Sequence, residues 1–125
     1  MNPASVELSV VMPVYNEERN IGEAVRRIAA FCGLKKIRWE LIVSNDGSTD
    51  RTGSILADIR RGQSALPLNV LTSEPNHGKG YAARQGMLAA GGRYVLLTDA
   101  DLSAPIKEVD RLTAALEKGA DIAIG

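Results

Sequence analysis

One cysteine, one histidine, one tryptophan and one phenylalanine are all that 125 residues contain of these four telling side chains. A lone Cys32 cannot build an internal disulfide framework and fits a reducing compartment, so a cytoplasmic protein is expected. A lone His77 removes any metal centre assembled from several histidines. Lys plus Arg number 15 and Asp plus Glu number 15, so no excess of either sign suits nucleic acid or an anionic membrane. No apolar run approaches the ~20 residues of a membrane-spanning helix. Residues Met1 to Ser5 lack the basic start and apolar stretch of a secretory signal. These absences leave a soluble globular protein, a single domain over residues 1–125, with no nucleic-acid partner expected. The length is enough for a proper core and short for an enzyme with two substrates.

What is present alternates. Short apolar runs rich in Val, Ile and Leu occur at Val6–Val14, Trp39–Ser44, Leu68–Thr72, Tyr94–Thr98 and Ile122–Ile124. None shows sustained polar alternation, as expected of strands buried on both faces. Between them lie stripes at helical spacing: Ile21, Val25 and Ile28 with Phe31 or Cys32; Ile55, Leu56 and Ile59; Ala83, Met87 and Ala90, with Gly86 allowing close approach to the sheet; Val109, Leu112 and Leu116. Caps are expected at Asn16, at Ser48 or Asp50, and at Ser103 with Pro105 in the first turn. Gly33, Gly62, Gly91-Gly92 and Gly119 mark expected helix ends. Strand–helix alternation predicts an α/β domain: a mostly parallel sheet with helices on both faces.

In such sheets ligands bind beyond the carboxyl ends of the strands, where strand order reverses. The residues that follow the first four runs are Pro13-Val14-Tyr15-Asn16-Glu17, Asn45-Asp46-Gly47-Ser48-Thr49-Asp50, Asn76-His77-Gly78-Lys79-Gly80 and Asp99-Ala100-Asp101-Leu102-Ser103. Taken singly, each is ordinary turn chemistry. Four on one rim point to a site. Asp99-Ala100-Asp101 presents two carboxylates that can face one hard cation, Mg²⁺ or Mn²⁺, which keeps waters and bridges to substrate phosphates. Asp46 is placed to accept hydrogen bonds from a base or ribose. Gly78-Lys79-Gly80 opens a helix with backbone N–H groups and a cation suited to an anion. It lacks the Walker A spacing, and no dinucleotide glycine fingerprint follows the first strand. Cys32 and Trp39 are expected to pack in or over the core, and His77 to serve its loop. Arg26-Arg27, Lys35-Lys36 and Arg60-Arg61 are expected on solvated faces.

Read together, Val11-Met12-Pro13-Val14-Tyr15-Asn16-Glu17-Glu18 and the three later segments resemble glycosyltransferase family 2, inverting enzymes of the Rossmann-like GT-A fold. The match runs across essentially the whole chain. Gly78-Lys79-Gly80, Arg84-Gln85-Gly86-Met87 and Asp99-Ala100-Asp101-Leu102-Ser103 with Pro105 resemble the dolichyl- or polyprenyl-phosphate sugar transferases within it. The resemblance implies that Pro13, Tyr15, Glu17 and Asp46 surround the donor nucleoside, with Lys79 and Asp99 in the same pocket. It implies that Asp99, Asp101 and Ser103 hold the cation and that Asp101 is the catalytic metal ligand. Ser103 stands where many members carry Gln, and Asn45 where many carry a first Asp. The implied reaction moves a hexose from a UDP- or GDP-sugar to an acceptor, a lipid phosphate before a saccharide hydroxyl. The implied chain is the N-terminal donor-binding part, truncated before the acceptor region, with membrane association only through that later region. A non-catalytic nucleotide-sugar-binding module would read the same over these residues. A response-regulator receiver would need its acidic pair, and a haloacid-dehalogenase-type phosphatase its Asp-x-Asp, after the first strand. That position reads Tyr15-Asn16-Glu17.

Overall fold

Leu8–Val14 forms strand β1, and each of its seven residues is buried. A strand covered on one face alone would alternate; this one is covered on both. The computed structural model describes residues 5–101 and 122–124. After β1 come α1 (Ile21–Lys35), β2 (Trp39–Asp46), α2 (Thr52–Gly62), β3 (Leu68–Ser73), α3 (Lys79–Ala89), β4 (Tyr94–Leu97) and β5 (Ile122–Ile124). The strands form a five-stranded sheet of order β3-β2-β1-β4-β5. Every pairing is parallel. The chain builds outward from β1 to β3, then crosses back to add β4 on β1's other side. Strand order therefore reverses between β1 and β4, and the expected α/β arrangement is present.

One face of the sheet carries Leu8, Val10, Met12 and Val14 of β1 beside Leu41 and Val43 of β2. They pack with Ile21, Ala24, Val25, Ile28 and Cys32 of α1 and Leu56 of α2. The opposite face receives α3. A Cβ on Gly86 would sit 2.4 Å from Val11 Cγ1 and 3.8 Å from Ser44 Cβ, so the bare glycine lets the helix backbone lie against the strands. Trp39 packs half-buried against the core, as expected. Cys32 is fully buried, and burial pushes its thiol up to about 11.

Several boundaries differ from the sequence expectations, each for a local reason. β1 begins at Leu8 rather than Val6, and β2 runs on through Asn45 and Asp46 because both still pair with β3. Asn16 does not cap α1. That helix starts after Asn20, whose side chain makes no cap bond, while Asn16 is left-handed with φ 53°. α1 also runs past Gly33 and ends at Lys36, a left-handed residue with φ 55°. The buried stripe of α3 is Ala82, Ala83 and Gly86; Met87 is half-buried and Ala90 lies just beyond the helix. Close packing on the strand face selects the smallest side chains, so Ala83 and the close approach expected at Gly86 hold, while Met87 and Ala90 fall outside the buried stripe. The expected fourth helix, its cap Ser103 with Pro105, and Gly119 fall outside the described residues. No described helix is long and apolar enough to cross a membrane.

Candidate functional site

Pro13 explains why the sheet opens where it does. β2 follows β1 to the pair Val14↔Asn45, whereas β4 follows it only to Val11↔Leu97. Tyr94 N donates to Glu7 O at 2.9 Å and Thr98 N to Val11 O at 3.0 Å, so the odd-numbered residues of β1 turn their peptide groups toward β4. Pro13 is the next residue on that side. It has no N–H to give, which rules out a further ladder bond there and costs nothing where the ladder has stopped. β1 and β4 part at the point of strand reversal, where an open α/β sheet binds ligands.

The space between them is a cavity of about 430 Å³. Pro13, Tyr15 and Glu17 line it from the end of β1, Asp46 from β2, Lys79 from α3, and Asp99 and Asp101 from beyond β4. All the site residues expected from sequence are thus brought together, except Ser103, which lies outside the described residues. Gly78, read from sequence as part of an anion-facing loop, shares the wall, and so do Asn76, Val14, Ala82 and Ala100, to which no role was given. Asn76 could have been found, since it stands two residues before Gly78 in the same loop. The three apolar ones carry no chemical signature.

Side-chain-to-backbone bonds hold the three loops around the cavity. Ser48 Oγ accepts from Asn16 N at 3.0 Å, Asn16 Oδ1 accepts from Thr49 N at 2.8 Å, and Thr52 Oγ1 accepts from Glu17 N at 2.9 Å. Asp50 accepts from Thr52 N at 2.9 Å and from Glu18 N at 3.2 Å, so it braces the first amide of α2 from one residue before the cap position, which is Arg51, and ties down the loop before α1. Burial would raise the Asp50 pKa; the Thr52 hydroxyl and the Thr52 and Glu18 amides outweigh it and hold the carboxyl below its usual range. Gly47 has φ 70°, and a Cβ there would lie 2.5 Å from the backbone N of Asn76, so loops two and three touch main chain to side-chain-free main chain.

Asp46 is 2% exposed, and the acceptor positions expected to meet a base or ribose are taken by the protein's own donors. Its carboxylate accepts from Ser73 Oγ at 3.0 Å, Asn76 Nδ2 at 3.1 Å, His77 N at 3.0 Å and Gly78 N at 2.7 Å. Burial works to raise its pKa, but the His77 amide, the Ser73 hydroxyl, the Gly78 amide and the nearby His77 ring together hold it below the usual carboxylate range. The expected backbone anion site before α3 is therefore filled in part by Asp46 itself, at the positive end of that helix. His77 serves the loop and stacks on Tyr81 with ring centroids 4.2 Å apart.

Across the cavity Lys79 Nζ meets Asp99 Oδ1 at 2.6 Å. Four carboxylates and one ammonium line the described cavity. Among the described residues no group of three or more His, Cys, Asp or Glu side chains forms a metal cluster. Asp99 and Asp101 fit a hard divalent cation nonetheless. Their donors are all oxygen, a positive group already sits on one of them, and such a cation takes its remaining ligands from water and phosphate.

Comparison with known proteins agrees with this geometry. The model of Glycosyl transferase family 2 matches residues 9–125. The dolichyl-phosphate beta-glucosyltransferase of Drosophila melanogaster is 38% identical over 119 residues, covering 91% of this chain and 36% of that protein. The dodecaprenyl-phosphate galacturonate synthase of Rhizobium johnstonii is 37% identical over 116 residues, covering 91% of this chain and 33% of that protein. The chain thus spans about a third of the length of these relatives. Among solved structures, a mannosyltransferase from Pyrobaculum calidifontis in complex with GDP-Man and Mn²⁺ superposes with a TM-score of 0.69 at 26% identity, over 82% of this chain and 29% of that one. Glucosyl-3-phosphoglycerate synthase from Mycobacterium tuberculosis, with Mn²⁺, UDP and glucosyl-3-phosphoglycerate, superposes with a TM-score of 0.64 at 31% identity, over 90% of this chain and 40% of that one.

Proposed function

Because the chain belongs to glycosyl transferase family 2, we propose that residues 1–125 are the donor-binding part of an inverting enzyme that moves a hexose from a UDP- or GDP-sugar to a polyprenyl or dolichyl phosphate. The sheet is that of the GT-A fold. The observation that carries the reading is the single cavity at the β1–β4 parting, which gathers Pro13, Tyr15, Glu17, Asp46, Lys79, Asp99 and Asp101 from four separate stretches of chain.

In this reading Pro13, Tyr15 and Glu17 flank the nucleoside, and Asp46 shapes the wall beside it. Lys79 lies toward the diphosphate. Asp99 and Asp101, with Ser103, would hold Mg²⁺ or Mn²⁺. A cation there supplies Lewis-acid neutralisation of the charge that develops on the leaving diphosphate. Electrostatics supports the need for it, because a cavity with four carboxylates and one ammonium repels an anionic donor. A lipid-phosphate acceptor is already ionised near neutral pH and needs no protein base, whereas a hydroxyl acceptor would. The names of the fly and Rhizobium relatives support the lipid phosphate. Such an acceptor would bring the whole protein to a membrane surface, which this reading takes to be the cytoplasmic one.

Calorimetric titration of the chain with UDP- and GDP-sugars, with and without Mn²⁺, tests this. Binding of one of the two, strengthened by Mn²⁺, is expected. Asp101→Asn should remove the Mn²⁺ gain for the nucleoside diphosphate while leaving nucleoside binding within about twofold. A folded chain that binds neither donor would end the proposal.

A further inference from the structure

Lys79 is the only basic side chain on the described wall of the cavity, and its charge is already engaged. Its Nζ lies 2.6 Å from Asp99 Oδ1, with the two side chains 68% and 40% exposed. Asp99 is also one of the two carboxylates assigned above to the cation. A diphosphate donor would therefore meet a cavity whose ammonium is neutralised and whose metal ligand is covered. We propose that Lys79 is the resident counter-ion of Asp99: an entering divalent cation displaces it, and the released ammonium turns to the donor's diphosphate.

Two features of the structure suit an exchange of this kind. The main chain at the root of Lys79 is fixed, since Gly78 N is held by Asp46 Oδ2 at 2.7 Å and Gly78 O accepts from Ala82 N at 3.1 Å. Only the flexible four-carbon stem has to move, and a lysine ammonium is a point charge without the planar geometry that would bind it to one partner. The pair is also cheap to break. An ion pair this exposed shifts an equilibrium by no more than about fivefold, whereas a divalent cation brings twice the charge to the same oxygen. Cation binding and Lys79 availability are then linked, and linkage is reciprocal: whatever removes Lys79 from Asp99 must tighten the cation.

The inference rests on the metal reading above, and Mn²⁺ alone is the probe that separates them. Mn²⁺ binding to the 125-residue chain is followed by the loss of the free-ion paramagnetic resonance signal. Lys79→Met, at an exposed position that leaves the fold intact, should bind Mn²⁺ about three- to fivefold tighter than wild type. With Mn²⁺ saturating, the same variant should bind the nucleoside diphosphate several-fold more weakly. The Asp99→Asn background isolates the contact, because there Lys79→Met should change Mn²⁺ affinity by less than about 1.5-fold. An equal gain in that background would mean that Lys79 acts through the general field, and the exchange would be refuted. Unchanged Mn²⁺ affinity in Lys79→Met, with binding itself retained, overturns the exchange alone. No Mn²⁺ binding by any variant overturns the metal reading and the exchange together.

Discussion

The carboxylate of Asp46 gathers donors from Ser73, Asn76, His77 and Gly78, which lie 27 to 32 residues further along the chain. Replacing it by Asn turns one acceptor oxygen into a donor that must face other donors, at a cost of roughly 1.5–3 kcal/mol. Nucleotide affinity should fall with or without a cation, because the third loop loses its anchor; wild-type affinity in a folded Asp46→Asn protein would contradict this. The pH dependence has a definite sign. A folded pKa held below the ordinary Asp value of ~3.9 contributes stability that is complete above that value. It is lost as pH falls through the lower, folded pKa. The denaturation-derived stability gap between wild type and Asp46→Asn should therefore be widest near neutrality and shrink in acid. Asp46, Asp99, Asp101 and Lys79 were legible as residue types at strand ends. Their partners were not, since hydrogen bonds between distant loops leave no periodicity in sequence. Asn16 is the plainest case: its residue type suits a cap, yet its left-handed backbone turns it to the second loop instead.

Among the elements, α3 is where close contact matters most. Gly86→Ala would put a methyl group 2.4 Å from Val11 Cγ1, on a fully buried strand residue that has no room to retreat. Overpacking of this kind typically costs 1–3 kcal/mol, so a fall of that size in urea-derived stability is expected, with the cavity distorted through Ala82 and Lys79 on the same helix. A neutral substitution would show that α3 can lift off the sheet. On the other face, Cys32 belongs to the helix that seals the core. With no exposed surface and its thiol pushed up to about 11, it should react with a maleimide only in denaturant. Rapid labelling of the native protein would place α1 wrongly. The two central strands were readable because burial on both sides writes β1 and most of β2 as apolar runs, whereas β3, with Asn69 and Thr72 exposed, is covered less. Helix ends were less readable, since loop ties and close packing, not local propensity, decide where these helices stop.

At the scale of the molecule, strand order could only be expected in outline from the alternation of elements. The parting of β1 and β4 requires knowing that Pro13 faces β4, which the register alone reveals. The rim that surrounds this parting has a further consequence. Its loops have no regular secondary structure, yet their amides are bonded to buried or mutually braced acceptors: Thr49 N to Asn16 Oδ1, and His77 N and Gly78 N to Asp46. The amides of His77 and Gly78 open only when Asp46 is uncovered, so they should exchange with solvent deuterium far more slowly than ordinary loop amides, with the exposed Thr49 amide less protected than these two. The Asn16→Ala substitution should speed Thr49 by an order of magnitude or more while sparing the middle of β1. Fast exchange of all three in the wild type would mean that the rim breathes loop by loop, and that a donor must first assemble the surface that receives it.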